Sequence, residues 1–388
     1  MRILAIADDI GVTAPGIVAE RLLCAMQEKC EVEVVTCEYS RSQTLPQIRN
    51  VHVSGQVFGN LKIRRRAVQW SISLFSRNPF DQMRRCSLLR GLEGGYDVIL
   101  GFCYGYYLLG LSLGTYAKKV FGAPLAEYFI DAIPSPLGWI PDGRYRKSMG
   151  KMVARGLSQA DGLLSSNAKM LGYQRGFAPA GLPSDYIYTP CLGDKVVRYP
   201  REGADGKFIF LFTGSVYGPR RLDYLFGAFR KLLQERPDCE IRFVGTHDIE
   251  ARLDELEPEV RAKVKVFPRT GDLTPYYMAS GALLDIDADL PDDVFLSSKI
   301  TNYILVDRPI ISETGPHSES RRLFAGLDSV RECGHSSEEL FSAMKAVCDR
   351  TEPYDYSERE ALARLLSLDV NSEKLLAFLC RLAGKTRG

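Results

Sequence analysis

The chain lacks the paired cysteines that mark a metal cage or a redox site. Its ten cysteines are scattered singly (Cys24, Cys30, Cys37, Cys86, Cys103, Cys191, Cys239, Cys333, Cys348, Cys380). No two form a C-x-x-C pair, which removes a zinc cage and a thioredoxin-type motif. Several lie in apolar runs, where free cysteine behaves as a small hydrophobe, and a reducing cytosol is the natural setting. Histidine is scarce: His52, His247, His317 and His335 are the four. They do not cluster, so no metal is expected. Internal repeats and low-complexity tracts are absent too. A signal peptide is not expected, because Asp8 and Asp9 stop the apolar run of MRILAIADDIG. One uncharged stretch, Val98 to Ala117, has twenty residues, the nominal length of a membrane span. It begins as VILGF and is rich in Gly and Tyr, so a buried strand followed by a packed helix accounts for it.

What is present is a soluble, globular composition. At 388 residues, with 45% apolar and 25% charged side chains, the chain suits two domains of roughly 150 to 200 residues. The net charge of +2 hides an asymmetry. Residues 1–200 carry 24 Lys and Arg against 16 Asp and Glu, whereas residues 201–388 carry 26 against 32. The first half is therefore expected to face something anionic. The stretch 62–90, KIRRRAVQWSISLFSRNPFDQMRRCSLLR, holds eight basic residues and one acid. Within it Arg64, Arg65, Arg66, Trp70, Phe75, Arg84 and Arg85 make a surface suited to anionic lipid. A solvated basic face over an ordinary packing stripe is the plainer alternative. No RNA-binding module is visible, and no nucleic-acid partner is expected.

Short apolar runs alternate with helical patterns throughout, the signature of β-α-β units and a parallel sheet. Strands are predicted at 2–7, 31–37, 51–55, 97–102, 124–130 and 162–167. Helices are predicted at 17–29 and 146–160, the latter amphipathic and basic. Between Gly181 and Gly206 the periodicity fades, as at a domain crossing. The pattern restarts at KFIFLFTGS (207–215), with further strands at 239–247, 264–268, 282–288 and 309–313 and a helix at 222–236. NSEKLLAFLCRLAG (371–384) reads as a strongly amphipathic helix. The expected fold class is α/β, with two Rossmann-like doubly wound domains. Residues 1–190 form the first, 191–206 a linker and 207–365 the second, and 366–388 make a C-terminal helix returning to the first.

The segment FLFTGSVYGPRRLDYLFGAFRKLLQERPDCEIRFVGTHD (210–248) resembles the donor-binding half of GT-B glycosyltransferases. A Gly at a strand end lets backbone approach a ligand, and the next helix offers free N–H groups to a diphosphate. By that resemblance Gly214, Ser215, Arg220, Arg221 and His247 would contact a nucleotide-sugar donor. Ser215 stands where the family often has a basic residue. FLSSKITNYILVDRPIISETGPHSE (295–319) is similar to the family's S-K-x-x-E segment that wraps the donor. This implies Ser297, Ser298, Lys299, Asn302, His317 and Glu319 as further donor contacts. The paired glutamates of the large retaining family are missing, since Val294 and Asn302 hold those positions. Asp292 or Asp293 would have to replace the first. The Ser-Lys-x-x-amide spacing resembles membrane-associated bacterial glucuronosyltransferases.

In the first half, GVTAPGIVAERL (11–22) is similar to the family's glycine-rich loop over donor and acceptor, which nominates Gly11, Pro15 and Gly16. LAEYFIDAIPSP (125–136) resembles the strand that ends in an acid at the cleft between the two domains. This nominates Asp131 as catalytic base; a turn or cap role is its plainer reading. Glu127, in mid-strand, reads as structural or paired. Asp285-Ile286-Asp287 is a D-x-D, the metal-diphosphate motif of the other glycosyltransferase architecture, but it falls late in the second domain and no metal is expected there.

The resemblance implies a metal-independent transferase moving a hexosyl or glycuronosyl group from a nucleoside diphosphate sugar, UDP-linked, to a lipid-linked or polysaccharide acceptor. It needs no cofactor, since the nucleotide-sugar is a substrate. The expected location is cytoplasmic, on the inner face of the cell membrane. A UDP-sugar 2-epimerase, or an inactive scaffold with the same architecture, are the alternatives.

Overall fold

A computed structural model describes residues 1–42, 45–55, 61–77, 88–105, 108–247 and 249–384, except the side chains of 61, 62, 64 and 65. The chain divides into two compact units, Met1–Pro190 with Leu366–Gly388, and Cys191–Leu365. Each unit is built on one all-parallel sheet.

The first sheet comprises β1 (Arg2–Ile10), β2 (Glu31–Tyr39), β3 (Asn50–Val53), β4 (Val98–Cys103), β5 (Leu125–Phe129), β6 (Gly162–Ser165) and β7 (Ser184–Tyr186). They lie in the order β3-β2-β1-β4-β5-β6-β7. The second comprises β8 (Phe208–Thr213), β9 (Cys239–Val244), β10 (Val264–Phe267), β11 (Ala282–Ile286), β12 (Ile310–Glu313) and β13 (Val330–Cys333). Their order is β10-β9-β8-β11-β12-β13. Every pairing is parallel. Parallel sheets are covered on both faces, which is why the central strands read as unbroken apolar runs.

Both sheets reverse their winding once: between β1 and β4 in the first, and between β8 and β11 in the second. Open α/β sheets bind ligands outside the strand carboxyl ends at such a switch point.

The run from Val98 resolves into β4, buried at all six residues, and helix Leu109–Phe121. No described helix is long and apolar enough to cross a membrane. β7 falls inside the stretch where periodicity fades. Three residues are too few to show alternation, and only its pairing with β6 makes them a strand. β13 escapes the sequence for a similar reason, since Arg331 is exposed and breaks the apolar run.

Helix Leu368–Leu382 belongs to the first unit. Ser367 caps it by accepting from Val370 N, and Leu375, Leu376, Phe378 and Leu379 enter the core with Leu22, Leu23 and Met26 of helix Ala14–Met26. Burying each such side chain contributes about 1.5–3 kcal/mol. Asn371 Oδ1 also accepts from Tyr188 N at 2.8 Å.

Glu127 stands in the middle of β5, fully buried. Its Oε2 accepts from Cys103 Sγ at 3.1 Å, and Oε1 meets no hydrogen-bond donor among the described residues. Two glycines make room for it: a Cβ on Gly101 would stand 2.4 Å from Oε2, and one on Gly114 3.3 Å from Oε1. Burial pushes this carboxyl up to about 8, against the opposing pull of the Cys103 hydrogen bond. The folded chain thus holds a proton that the unfolded chain releases near its ordinary value. Stability from this group is full below about pH 4.5 and is lost as pH rises towards 8. Glu127→Gln keeps the shape without the proton. It should make the first unit up to about 4 kcal/mol more stable at pH 8 and leave it nearly unchanged at pH 4.5. Urea titrations at the two pH values check this, and an equal effect at both would refute it.

Candidate functional site at the second switch point

At the carboxyl end of β8 the chain turns through Gly214, whose φ of +90° favours glycine. Gly214 N donates to Val244 O at 2.9 Å, and its carbonyl accepts from Thr246 Oγ1 at 2.6 Å. This ties the loop to the end of β9. Residues 215–220 then lead to helix Asp223–Glu235. Gly214 and Ser215 are exposed, as is His247 beyond Gly245.

Arg220 closes the loop. Backbone bonds hold it beside the continuation of β11: it bridges Ala288, and Asp289 N donates to Pro219 O at 3.1 Å. Its guanidinium is only 7% exposed, lies over the Tyr217 ring at 4.9 Å and reaches Asp287 Oδ1 at 3.8 Å. Arg221 turns the other way. It is exposed and pairs with Asp223 at 2.9 Å and Asp289 at 3.8 Å.

β11 supplies the opposing charges. Side chains alternate along a strand. Ala282, Leu284 and Ile286 enter the apolar core, leaving Asp285 and Asp287 to share the other side. Asp285 is fully buried and Asp287 nearly so. Asp285 Oδ2 accepts from Ser312 Oγ on β12 at 3.2 Å. Its Oδ1 is 3.5 Å from Nζ of Lys299.

Lys299 precedes the short helix Ile300–Tyr303 and is 9% exposed. Its ammonium donates to Ser297 Oγ at 3.0 Å and stands 4.8 Å from the Phe212 ring centre. The helix is pinned by Tyr303, whose hydroxyl accepts from Thr213 N at 2.8 Å. Burial and the neighbouring Arg220 push Lys299 down to about 8, against Asp285 and Asp287. Burial, then Asp285 and Asp293, push Asp287 up to about 7.

Of the residues nominated from sequence, Arg220, Lys299 and Ser297 thus meet around Asp285 and Asp287. Ser298 and Asn302 are exposed nearby in sequence. His317 is also exposed, and its N–H donates to Pro291 O at 3.1 Å. Gly315 packs tightly on Leu290, where a Cβ would come 2.0 Å from the carbonyl oxygen. Glu319 is buried in the first turn of helix Glu319–Phe324, paired with Arg322 at 2.6 Å. Asp292 is exposed, whereas Asp293 is buried and accepts from Phe295 N at 3.3 Å.

Sequence reasoning missed one pair at this sheet edge: Glu313, ending β12, and His335, whose Nδ1 lies 2.9 Å from Glu313 Oε1. A lone acid and a lone histidine 22 residues apart give no signal until β12 and β13 align.

In the first unit, the loop 11–16 is a tight cap rather than an open turn. Asp9 Oδ1 accepts from Thr13 N at 2.9 Å, and Thr13 Oγ1 accepts from Gly16 N at 3.1 Å. Pro15 fills the first turn of helix Ala14–Met26. A Cβ on Gly16 would meet Asp9 Oδ1 at 1.9 Å, and one on Gly11, at φ +74°, would meet Ser40 O at 2.0 Å. Asp8 accepts from Leu109 N at 2.6 Å, capping helix Leu109–Phe121. Asp131 follows β5, is half-buried, and burial pushes it up to about 6.

On the same unit, helix Leu61–Phe75 buries Val68 and Ile72 and leaves Ile63, Trp70 and Phe75 at 57%, 71% and 65% exposure. Arg66 is exposed on the face that carries Ile63 and Trp70. The helix is held to helix Arg144–Leu157 through Arg144 Nε to Ser73 O at 3.0 Å. That neighbour adds exposed Lys147, Lys151 and Arg155. Arg84 and Arg85 lie outside the described residues, as do the side chains of Arg64 and Arg65. Among the described residues no three His, Cys, Asp or Glu side chains come together to hold a metal ion.

No family profile matches the sequence, and no curated protein does. Solved structures match over nearly the whole chain. HepE of Anabaena, in complex with UDP and glucose, superposes with a TM-score of 0.68 at 13% identity, covering 98% of this chain and 99% of that one. The lipopolysaccharide outer core galactosyltransferase WaaB, in its apo form, gives 0.64 at 13% identity over 98% and 99%. A putative UDP-N-acetylglucosamine 2-epimerase from Listeria monocytogenes gives 0.55 at 13% identity over 100% and 97%. The chain has the α/β fold of these proteins, with two Rossmann-like units, the GT-B fold.

Proposed function

We propose that this protein is a glycosyltransferase that takes its sugar from a nucleoside diphosphate donor bound at the β8–β11 switch point. One observation carries the reading. Two cations from distant parts of the chain, Arg220 and Lys299, are buried side by side at that switch point, in a fold shared with proteins crystallised with UDP. Buried cations cost desolvation free energy, and a leaving diphosphate is the anion they suit. They would stabilise its developing charge as a metal does in other transferases, so turnover is expected to be metal-independent. Gly214, Ser215, Ser298, Asn302, His247 and His317 are the exposed groups that would frame the nucleotide and sugar.

Asp131, in the first unit, is the proposed base towards an acceptor hydroxyl. A carboxyl pushed up to about 6 exchanges protons efficiently near neutral pH. The proposed acceptor is lipid-linked or polysaccharide, and the protein would work on the inner face of the cell membrane.

The test is a thermal-shift panel of UDP, GDP, CMP, dTDP and ADP with EDTA present. A ligand at 100 times its dissociation constant stabilises the fold by about 2.7 kcal/mol. A shift with one nucleotide supports the reading; none with any of the five refutes it in favour of a scaffold. Incubating the matching nucleotide-sugar without acceptor separates the rival, since a 2-epimerase would change the sugar by itself.

The exposed Ile63, Trp70 and Phe75, beside Arg66, Lys147, Lys151 and Arg155, supply both apolar insertion and attraction to anionic lipid. Vesicles of one-third phosphatidylglycerol should sediment with the protein, and pure phosphatidylcholine vesicles should not. Trp70→Ser with Phe75→Ser should weaken that binding roughly tenfold. Unchanged sedimentation of the double variant would rule this surface out.

A further inference from the structure

Carboxylates surround the two cations. Arg220 arrives from the loop after β8, Lys299 from just before helix Ile300–Tyr303, Asp285 from β11 and Asp287 from just past its end. All four are buried, and so is Asp293 from the loop between them. Two positive charges therefore face three carboxylates. Asp289 stands with Tyr224 and Arg221 at the rim, and Glu313 holds His335. With every acid ionised the site carries no surplus positive charge, and an incoming diphosphate would meet Asp287 as well as Arg220. Asp285 has two partners, Ser312 and Lys299. Asp287 Oδ1 accepts from Ala288 N at 3.0 Å and has Arg220 at 3.8 Å, while its Oδ2, like Asp285 Oδ1, is buried without a hydrogen-bond donor among the described residues.

On the nucleotide reading given above, we propose that Asp287 is the exchangeable counter-ion of the diphosphate site, neutralising Arg220 when the site is empty and taking up a proton from solvent as the diphosphate binds. The guanidinium is thereby handed from carboxylate to ligand, and the D-x-D serves as an internal anion for two cations. No bond between heavy atoms changes; one proton leaves a buffer acid in the solvent and forms an O–H bond on a carboxylate oxygen of Asp287. The direction is supported by Asp287 being pushed up already to about 7 by burial and its acidic neighbours, because a further anion moves it the same way. Lys299, held down near 8, would also gain proton occupancy, so the two contributions must be separated.

Isothermal titration of the full chain with UDP at pH 8, in buffers of different ionisation enthalpy, counts the protons. UDP is fully ionised there and contributes none. The wild type should take up between about half a proton and one proton per UDP, and its affinity should fall roughly three- to tenfold from pH 7 to pH 8. Asp287→Asn should bind at least as tightly, with less than half the uptake and a flatter pH profile. Lys299→Arg, whose charge is fixed, should keep most of the uptake even if binding weakens. Binding without proton uptake by the wild type overturns the proposal and leaves the nucleotide reading intact. Undiminished uptake by a folded Asp287→Asn, or its loss in Lys299→Arg, overturns it too. Should Asp287→Asn not fold, the Lys299→Arg proton number decides alone. Absence of binding by UDP and the other four diphosphates and monophosphates of the panel removes both.

Discussion

Replacing Arg359 with alanine should destabilise the Cys191–Leu365 unit by about 3–5 kcal/mol, through the cavity left and the charge-assisted hydrogen bonds lost in a buried site. Arg359 is fully buried on helix Ser357–Leu365. Its Nη1 donates to Val306 O at 2.8 Å and Arg308 O at 2.7 Å, and Nη2 donates to Ser329 O at 2.6 Å. The guanidinium also lies 4.9 Å from the Tyr356 ring centre. Burial pushes it down to about 10, so it stays charged at neutral pH. Alanine would leave a cavity and take a donor from three carbonyls; Val306 O and Ser329 O keep the N–H groups of Arg308 and Ile310, so the cost of about 1–3 kcal/mol for an unsatisfied buried group falls on Arg308 O. Lysine keeps the charge but lacks the planar fork, so Arg359→Lys should lose about half as much. Both tryptophans, Trp70 and Trp139, belong to the other unit. Urea unfolding should therefore show a far-UV circular dichroism change in the variant before tryptophan fluorescence moves. Coincident transitions at the wild-type midpoint would refute the expectation.

Lys299→Ala should weaken nucleoside diphosphate binding roughly 10- to 150-fold, the worth of a charge-assisted hydrogen bond of about 1.5–3 kcal/mol. The loss would leave Asp285 without its cation, so the variant's own stability must be measured beside its affinity. Lys345→Ala is the control. That ammonium pairs with Glu235 and Asp349 on the surface, and exposed pairs contribute under about 1 kcal/mol. Unaltered affinity in a folded Lys299→Ala would withdraw Lys299 from the site.

The sequence made the sheets legible wherever a strand is central. β1, β4, β8 and β11 are mostly apolar, Asp8, Asp9 and Asp285 apart, because both faces are covered; the strand order that creates their switch points is seen only in the folded sheets. β7 and β13 were hidden, being three and four residues long at sheet edges. Around the site, Arg220 and Lys299 could be nominated from the resemblance to GT-B glycosyltransferases, and the D-x-D could be seen as a pair of acids. That the acids face these two cations could not be read, because Arg220, Asp287 and Lys299 are joined only by the parallel register of β8 with β11. Arg359 shows the same limit. In SEREALARL it resembles any solvated arginine, and its burial depends on carbonyls from two other segments, Val306–Arg308 and Ser329.

Connectivity has a consequence for how the molecule is made. The first unit opens the chain but is finished by helix Leu368–Leu382, after all of Cys191–Leu365 has been laid down. During synthesis the later unit completes its fold first, while the earlier one waits with Leu22, Leu23 and Met26 lacking their cover. A ribosome that stops anywhere before residue 368 thus releases a chain with an apolar seam still open, the kind of surface chaperones and proteases bind.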